Sequence, residues 1–262
     1  MLLAIDVGNT NIVLGVFSGE RLQESWRLVT MRERTSDELG ILVTHLFEHS
    51  RIERSSVEGI ILSSVVPPLT RTLEEMCERY FQKRPLTVDP GSNTGMPVLY
   101  HPVSDVGADR VVNAVAAYET FGRESARPVI VVDFGTATTF DAISKRGEYL
   151  GGVICPGIGI SADALFQRAA RLPRVDVRKP PAVIGTTTVT SMQSGLFFGY
   201  VSMVDGIVTR MREELEEGAA ATCVATGGMA DVLAGETTTI QRVEPDLTLQ
   251  GLRMIWQRHG HG

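Results

Sequence analysis

The sequence repeats one short pattern twice, about half a chain apart. Residues 2–16 and 129–142 each read as an apolar strand, then Asp-x-Gly followed by polar residues, then a second apolar strand. The aspartates Asp6 and Asp133 stand 127 residues apart in a chain of 262 residues. That spacing is expected of duplicated halves, so the repeat predicts two similar α/β domains.

The residue types in each repeat suit the phosphate groups of a nucleotide. Asp6 and Asp133 stand at the carboxyl ends of strands, where the functional groups of α/β folds project. Gly8 and Gly135 leave no Cβ in the way of a phosphate, and the neighbouring hydroxyl and backbone N–H groups can donate to it. A single copy could equally be an ordinary hairpin, because Asp, Gly and Asn favour tight turns. Two matched copies favour a nucleotide site, and the sequence contains no P-loop motif.

Composition and charge exclude several other classes of protein. A formal net charge of −6 argues against general nucleic-acid binding. The first residues reach a carboxylate too early for a signal peptide, and no apolar run approaches the roughly 20 residues of a membrane span. Cys77, Cys155 and Cys223 are far apart and have no zinc spacing, which indicates reduced thiols. We therefore expect a cytoplasmic protein that binds neither nucleic acid nor membrane.

The pattern of apolar and turn-forming residues predicts the elements of each half. The first half reads β-β-β-α-β-α-β, and its later elements fall at about 20–29, 36–49, 57–66, 69–82 and 86–88. The second half starts the same order, with strands at 129–133, 137–144, 147–150 and 223–226. We predict one domain over 1–112 and a second over 113–262, with the terminal residues 259–262 frayed.

An acidic and a basic residue open the apolar helix between the two repeats. Asp109 and Arg110 fall in its predicted first turn, where Asp favours the helix N-terminus and could simply pair with the arginine. The alternative is that both contact one substrate. The carboxylate would then accept a hydroxyl proton while the guanidinium holds an anion.

The two repeats resemble the superfamily of acetate kinase, sugar kinases, Hsp70 and actin. That resemblance implies two duplicated ribonuclease-H-like domains with an ATP cleft between them. The chain is also similar to the type III pantothenate kinases, which share five motifs with it in order: Asp-x-Gly-Asn-Thr, Gly-Ala-Asp-Arg, Asp-Phe-Gly-Thr-Ala-Thr-Thr, Gly-Gly-x-Ile-x-Pro-Gly and Met-Gln-Ser-Gly. This second resemblance spans residues 1 to about 230. It implies ATP-dependent phosphorylation of pantothenate to 4′-phosphopantothenate, the first step of coenzyme A biosynthesis.

The family resemblance also implies a role for individual residues. Those implied to bind ATP are Asp6, Val7, Gly8, Asn9, Thr10, Asn11, Ile12, Val13 and Thr136. Those implied to bind pantothenate are Tyr100, Gly107, Ala108, Asp109, Arg110 and Thr188, with Asp109 as the catalytic base. Asp133 would hold a monovalent cation, K⁺ or NH₄⁺, and Mg²⁺ would arrive with ATP. The family also implies a homodimer with the pantothenate pocket at the subunit boundary.

Three points stay open at the level of sequence. Where the family commonly has Gly-Lys-Asn-Thr, this chain has Gly185-Thr186-Thr187-Thr188. The apolar run 196–201 fits a dimer contact or a core helix equally well. A catalytically weak accessory factor for transcription is the main alternative function, against which stand the negative charge and the lack of a basic helix-turn-helix. Another kinase or a phosphatase of the superfamily is a further alternative.

Overall fold

The computed structural model describes residues 1–91 and 93–260, which form two compact units. The first unit contains Met1–Ala116 and the end of the chain from Leu247 onwards. The second unit is Ala117–Asp246. In the predicted frayed tail, His259 has its Nε2 atom 2.8 Å from the carbonyl oxygen of Asn93, whereas residues 261 and 262 lie outside the described residues.

The first unit is a five-stranded mixed sheet with helices. Its strands are β1 (Leu2–Val7), β2 (Asn11–Ser18), β3 (Arg21–Val29), β4 (Gly59–Ser64) and β5 (Leu86–Thr87), in the order β3-β2-β1-β4-β5. β1 is antiparallel to β2 and parallel to β4, and both β1 and β4 are almost entirely buried. The helices are α1 (Ser36–His49), α2 (Pro67–Phe81), α3 (Ala108–Ala117) and α7 (Leu247–Arg258). A capping box between Thr35 and Glu38 starts α1, and two prolines begin α2.

The second unit repeats this sheet. Its strands are β6 (Val129–Phe134), β7 (Ala137–Ile143), β8 (Tyr149–Pro156), β9 (Thr222–Thr226) and β10 (Arg242–Val243), in the order β10-β9-β6-β7-β8. Its helices are α4 (Ile158–Arg168), α5 (Thr188–Glu214) and α6 (Ala230–Ala234), and a π-helical turn spans Tyr118–Gly122. Because strand order and direction match in the two sheets, the structure confirms the predicted duplication.

Most predicted elements are present, with shifted ends. β4 is shorter than the predicted strand over 57–66, since the prolines of α2 begin immediately afterwards. β8 is longer than the predicted 147–150. Its ladder with β7 continues from Tyr149 opposite Ile143 to Pro156 opposite Ala137.

The observed division of the chain differs from the predicted domains 1–112 and 113–262. The C-terminal helix α7 belongs to the first unit, where it packs against β1 and β4. Gly59 on β4 lies directly under the ring of Trp256, and Gly251 lies against the backbone of Val112 on α3. A side chain at either glycine would displace the helix, so these two close contacts fix the position of α7.

The apolar run 196–201 is mainly a core segment. Leu196, Phe197 and Tyr200 are buried in the second unit's hydrophobic core, together with Val204 and Val208 of the same helix. Within the part of the chain that the structure describes, no helix is both long and apolar enough to cross a bilayer.

The three cysteines are free thiols, as predicted. Cys77 and Cys223 are buried, and burial raises the pKa of each thiol to about 12. Cys155 is half-buried on β8. The two buried thiols therefore stay protonated at neutral pH and behave as core residues.

Asp205 ties the loop before β10 to the long helix α5. Its carboxylate accepts hydrogen bonds from the backbone N–H and the hydroxyl of both Thr238 and Thr239, at 2.7–3.1 Å. Burial alone would raise the pKa of Asp205, but these hydrogen bonds outweigh it, and the pKa is lowered. The carboxylate form is thus favoured by folding.

Asp205→Asn should therefore destabilise the protein by about 1–3 kcal/mol at neutral pH, because hydrogen bonds to a charged acceptor are lost. A depressed pKa gives stability that is present above the unfolded carboxyl pKa of about 3.9 and is lost as pH falls below it. The difference between wild type and variant, measured by urea unfolding at several pH values, should shrink below about pH 4. Asp231→Asn, on the exposed start of α6, is the matched control. Equal stability of the two variants at pH 7 would contradict the prediction.

Candidate active site

The first Asp-x-Gly repeat forms the turn between β1 and β2. The N–H of Gly8 donates to the carbonyl of Asn11 at 2.9 Å, which closes the turn. Thr30, just after β3, donates its N–H to the carbonyl of Thr10 at 2.9 Å and its hydroxyl to the carbonyl of Gly8 at 2.7 Å. These bonds engage three carbonyl groups of the turn. Asn9 and Thr10 are exposed at its outer surface.

The eight predicted ATP-binding residues of this repeat do not all expose side chains. Asp6 is half-buried at the end of β1, and Gly8 is partly exposed. Val7 and Ile12 are buried in the core of the first unit, so only their backbone atoms are available to a ligand. Asn11 and Val13 are half-buried on β2.

The second repeat forms the equivalent turn between β6 and β7 and is one residue shorter. The N–H of Gly135 donates to the carbonyl of Ala137 at 3.1 Å. Gly135 and Thr136 are exposed at the tip, as Asn9 and Thr10 are in the first turn. Phe134 pairs with Thr138 across this turn, whereas Val7 pairs with Ile12 across the first.

Gly157, at the start of α4, lies against the second turn. Its N–H donates to the carbonyl of Thr136 at 3.1 Å. A Cβ on Gly157 would overlap that same carbonyl and approach the carbonyl oxygen of Gly135 to 2.7 Å. The backbone of Gly157 is extended, with φ −69°, so the need for glycine here is steric.

We expect Gly157→Ala to raise the KM for ATP by about tenfold or more, because the tip of the turn must move to admit the methyl group. Gly159→Ala, two residues further along α4, is the matched control, since nothing lies within 4 Å of its new Cβ. ATP titrations in a coupled kinase assay measure both variants. An unchanged KM for Gly157→Ala would show that the turn does not position ATP.

Asp133 is half-buried beside a second close glycine. Gly227, just after β9, has φ +91°, and a Cβ there would lie 2.5 Å from the Oδ1 atom of Asp133. Among the described residues, no group of three or more His, Cys, Asp or Glu side chains could hold a metal ion together. Carboxylate oxygens suit hard cations better than soft transition metals, so the Asp133 carboxylate could hold a hard cation.

Each repeat aspartate has a buried hydroxyl residue beside it on the neighbouring parallel strand. Asp6 is in register with Ser63 on β4, and Asp133 is in register with Thr226 on β9. Ser63 and Thr226 are almost completely buried, and no described residue hydrogen-bonds the Ser63 hydroxyl. Sequence reasoning missed this duplicated pair, although a hydroxyl residue ends the apolar strand in both halves.

Asp109 stands in the first turn of α3, as predicted. Its Oδ1 atom accepts the N–H of Arg110 at 2.8 Å. Burial raises the pKa of Asp109, and the Arg110 N–H and guanidinium charge only partly offset this effect. A Cβ on Gly107 would lie 2.5 Å from the same Oδ1 atom, so glycine makes room for the carboxylate. The result is a carboxylate more basic than an exposed one, which suits a general base.

The helix that carries Asp109 is held firmly in the first unit. Val111, Val112 and Val115 are completely buried. Asn113 is also buried, and its Oδ1 atom accepts the Thr248 hydroxyl of α7 at 2.7 Å. The C-terminal helix therefore fixes the position of the candidate base.

The other predicted pantothenate residues fall in two places. Tyr100 is half-buried in the loop that leads to α3, and Gly107, Ala108 and Arg110 surround Asp109. Ala108 and Arg110 are buried.

Thr188 is exposed at the first position of α5, in the second unit. Thr187 caps this helix, since its hydroxyl accepts the N–H of Thr190 at 3.2 Å. Asparagine, which the family commonly has at this position, is an equally good N-cap residue. Threonine in place of asparagine at position 187 therefore preserves the helix start. Threonine in place of lysine at position 186 removes a positive charge.

The chain is similar over nearly its full length to known kinases. A family model described as type III pantothenate kinase matches residues 2–210. The type III pantothenate kinase of Myxococcus xanthus is 59% identical over 259 residues, covering 99% of each chain. That of Anaeromyxobacter sp. is 56% identical and covers 99% of this chain and 100% of the relative.

Solved structures support the fold. A Campylobacter jejuni protein described as a transcriptional activator of the Baf family has a TM-score of 0.61, and the match covers 99% of this chain and 100% of that chain. At 19% identity, this similarity concerns the fold alone. Because the family model matches residues 2–210 and two relatives are 59% and 56% identical to the chain, the chain belongs to the type III pantothenate kinase family.

Proposed function

We propose that this chain transfers the γ-phosphoryl group of ATP to the terminal hydroxyl of pantothenate, giving 4′-phosphopantothenate for coenzyme A biosynthesis. The observation that carries the proposal is the full-length similarity, up to 59% identity, to type III pantothenate kinases. The chain is thus a kinase, and ATP and pantothenate are its substrates. The Campylobacter jejuni protein described as a transcriptional activator is only 19% identical, so that match concerns the fold and does not support the accessory transcription factor considered above.

Asp109 is the general base in this reaction. The hydroxyl oxygen of pantothenate forms a bond to the γ-phosphorus while the bond from that phosphorus to its bridging oxygen breaks. ADP leaves, and the hydroxyl proton passes to the Asp109 carboxylate. The raised pKa of Asp109 and the room that Gly107 leaves for its Oδ1 atom support this role. Tyr100, Arg110 and Thr188 bind pantothenate.

The two Asp-x-Gly turns contact the phosphates of ATP. In the first turn, the exposed Asn9 and Thr10 present their side chains to the phosphates, and the partly exposed Asp6 and Gly8 lie next to them in the turn. In the second turn, Thr136 has the same role. Mg²⁺ bound with ATP neutralises phosphate charge, which is the main requirement of phosphoryl transfer. Asp133 holds a monovalent cation, K⁺ or NH₄⁺, next to the second turn.

A cytoplasmic homodimer is the proposed working form, because the cytoplasm supplies ATP and the family resemblance implies a dimer. Exposed apolar side chains lie on α4 and in the segment before α5: Ile160, Leu165, Phe166, Val183 and Ile184. Exposed apolar surface is typical of interaction sites, and these residues are the proposed dimer contact. The run 196–201 contributes little, since Leu196, Phe197 and Tyr200 are buried in the core.

Sedimentation equilibrium should give twice the chain mass of 28.5 kDa. Ile184→Glu should shift the equilibrium to the monomer, because Ile184 is 84% exposed in the chain alone and a buried carboxylate opposes association. Ile41→Glu changes an exposed isoleucine of the first unit and is the matched control. A monomeric wild type with full activity would refute the dimer.

The experiment that tests the function is ADP release by the purified protein with ATP, Mg²⁺ and pantothenate, in K⁺ and in Na⁺ buffers. We expect turnover that requires pantothenate and is faster in K⁺. If ATP binds and no buffer supports turnover with pantothenate, the proposed substrate is wrong.

A further inference from the structure

Neither phosphate-binding turn contains a basic side chain. Residues 6–13 and 133–139 each begin with an aspartate and contain no lysine or arginine. The triphosphate of ATP carries several negative charges, and phosphoryl transfer depends on neutralising them. A basic side chain from another segment would supply the positive charge that the first turn lacks.

The segment after β3 is fastened to the first turn. As described above, Thr30 hydrogen-bonds the carbonyls of Gly8 and Thr10 through its hydroxyl and its N–H. These two bonds hold the residues that follow Thr30 beside the tip of the turn. Arg32 is the first basic residue of this segment.

The guanidinium of Arg32 reaches the tip of the turn. Its Nη2 atom donates to the Oδ1 atom of Asn9 at 3.3 Å. Both side chains are exposed, and among the described residues no carboxylate forms an ion pair with Arg32. One hydrogen bond uses one of its five donors, so the guanidinium keeps donors and charge available for a ligand at Asn9.

We propose that Arg32 binds the phosphate oxygens of ATP directly and supplies the positive charge that the first turn lacks. This inference rests on the proposed function, since it takes ATP as the ligand of the turn. Arginine suits this task because its planar group donates two parallel hydrogen bonds to phosphate oxygens.

Replacing Arg32 by alanine should weaken binding of Mg²⁺-ATP by about 10- to 100-fold, as expected for hydrogen bonds to a charged group. Calorimetric titration measures the affinity for ATP and for adenosine. Adenosine affinity should not change, because adenosine has no phosphate. Arg32→Lys should recover part of the ATP affinity, and the KM for pantothenate should stay the same.

The control is Arg21→Ala, at the opposite end of β3, which removes the same charge from an exposed arginine paired in register with Ser18. A second comparison separates direct binding from support of the turn: Arg32→Ala is repeated in an Asn9→Ala background. A direct phosphate contact predicts a further loss of at least about fivefold there, within the range of a charged hydrogen bond. No further loss would mean that Arg32 acts only by holding Asn9.

The outcomes distinguish this inference from the proposed function. If Arg32→Ala binds ATP like Arg21→Ala while pantothenate is phosphorylated, the inference fails and the function stands. If ATP binding depends on Arg32 while pantothenate is not phosphorylated, the function fails and the inference stands. An equal loss of adenosine and ATP affinity would also overturn the inference, because it would indicate a distorted site.

Discussion

Asp109→Asn should lower kcat by about 100-fold or more while leaving the fold intact, because removal of a general base typically costs that much. Asparagine has nearly the same shape and can still accept the Arg110 N–H that Asp109 accepts at 2.8 Å. It cannot take a proton from the pantothenate hydroxyl. Steady-state kinetics give kcat, and thermal unfolding checks that the variant is folded.

Asp105→Asn is the matched control, because Asp105 lies in the same connection before α3, is exposed, and loses the same charge. Its kcat should be close to wild type. The pH profile adds a second readout. Since burial raises the pKa of Asp109, the acid limb of kcat/KM should lie above the ordinary carboxyl value of about 3.9. Near-normal kcat in Asp109→Asn would assign the base to another residue.

Asp133→Ala should abolish activation by K⁺ and reduce turnover to a low value that is equal in K⁺ and Na⁺ buffers. The reason is that the proposed cation site has one carboxylate, and the remaining hydroxyl and carbonyl oxygens hold a monovalent cation too weakly without it. Initial rates against K⁺ concentration measure the effect. ATP should still bind, because the second turn closes through its own bond from Gly135 to Ala137.

Asp231→Ala removes an exposed carboxylate from the same unit and should keep the K⁺ response of the wild type. Retention of that response in Asp133→Ala would place the cation elsewhere. Loss of ATP binding would instead indicate that Asp133 supports the turn, for example through its close contact with Gly227.

The two turns could be predicted because their chemistry is local. In each, an apolar strand ends in Asp-x-Gly and a second strand follows within a few residues, so the hairpin register is set by the turn itself. The pairs Asp6 with Ser63 and Asp133 with Thr226 could not be predicted in this way. Their strands are parallel neighbours separated by long stretches of chain, and no local pattern fixes which residues then stand side by side.

The candidate base illustrates the same limit. Its place in the first turn of an apolar helix followed from the sequence around Gly107-Ala-Asp-Arg. The raised pKa did not, because it depends on burial by segments distant in sequence. Arg32 was also missed, since only the folded chain brings it to Asn9.

By itself, the sequence determined that the chain contains two related α/β halves, where most strands and helices lie, and which motifs it shares with its family. Only the tertiary structure decided that α7 covers the first sheet, that Leu196 and Phe197 face a core, and that Gly157 supports the second turn. Apolar periodicity shows that a helix has a face to bury. Because the hydrophobic effect has no direction, it does not specify the surface that will cover that face. Shape and close contact between distant segments make that choice.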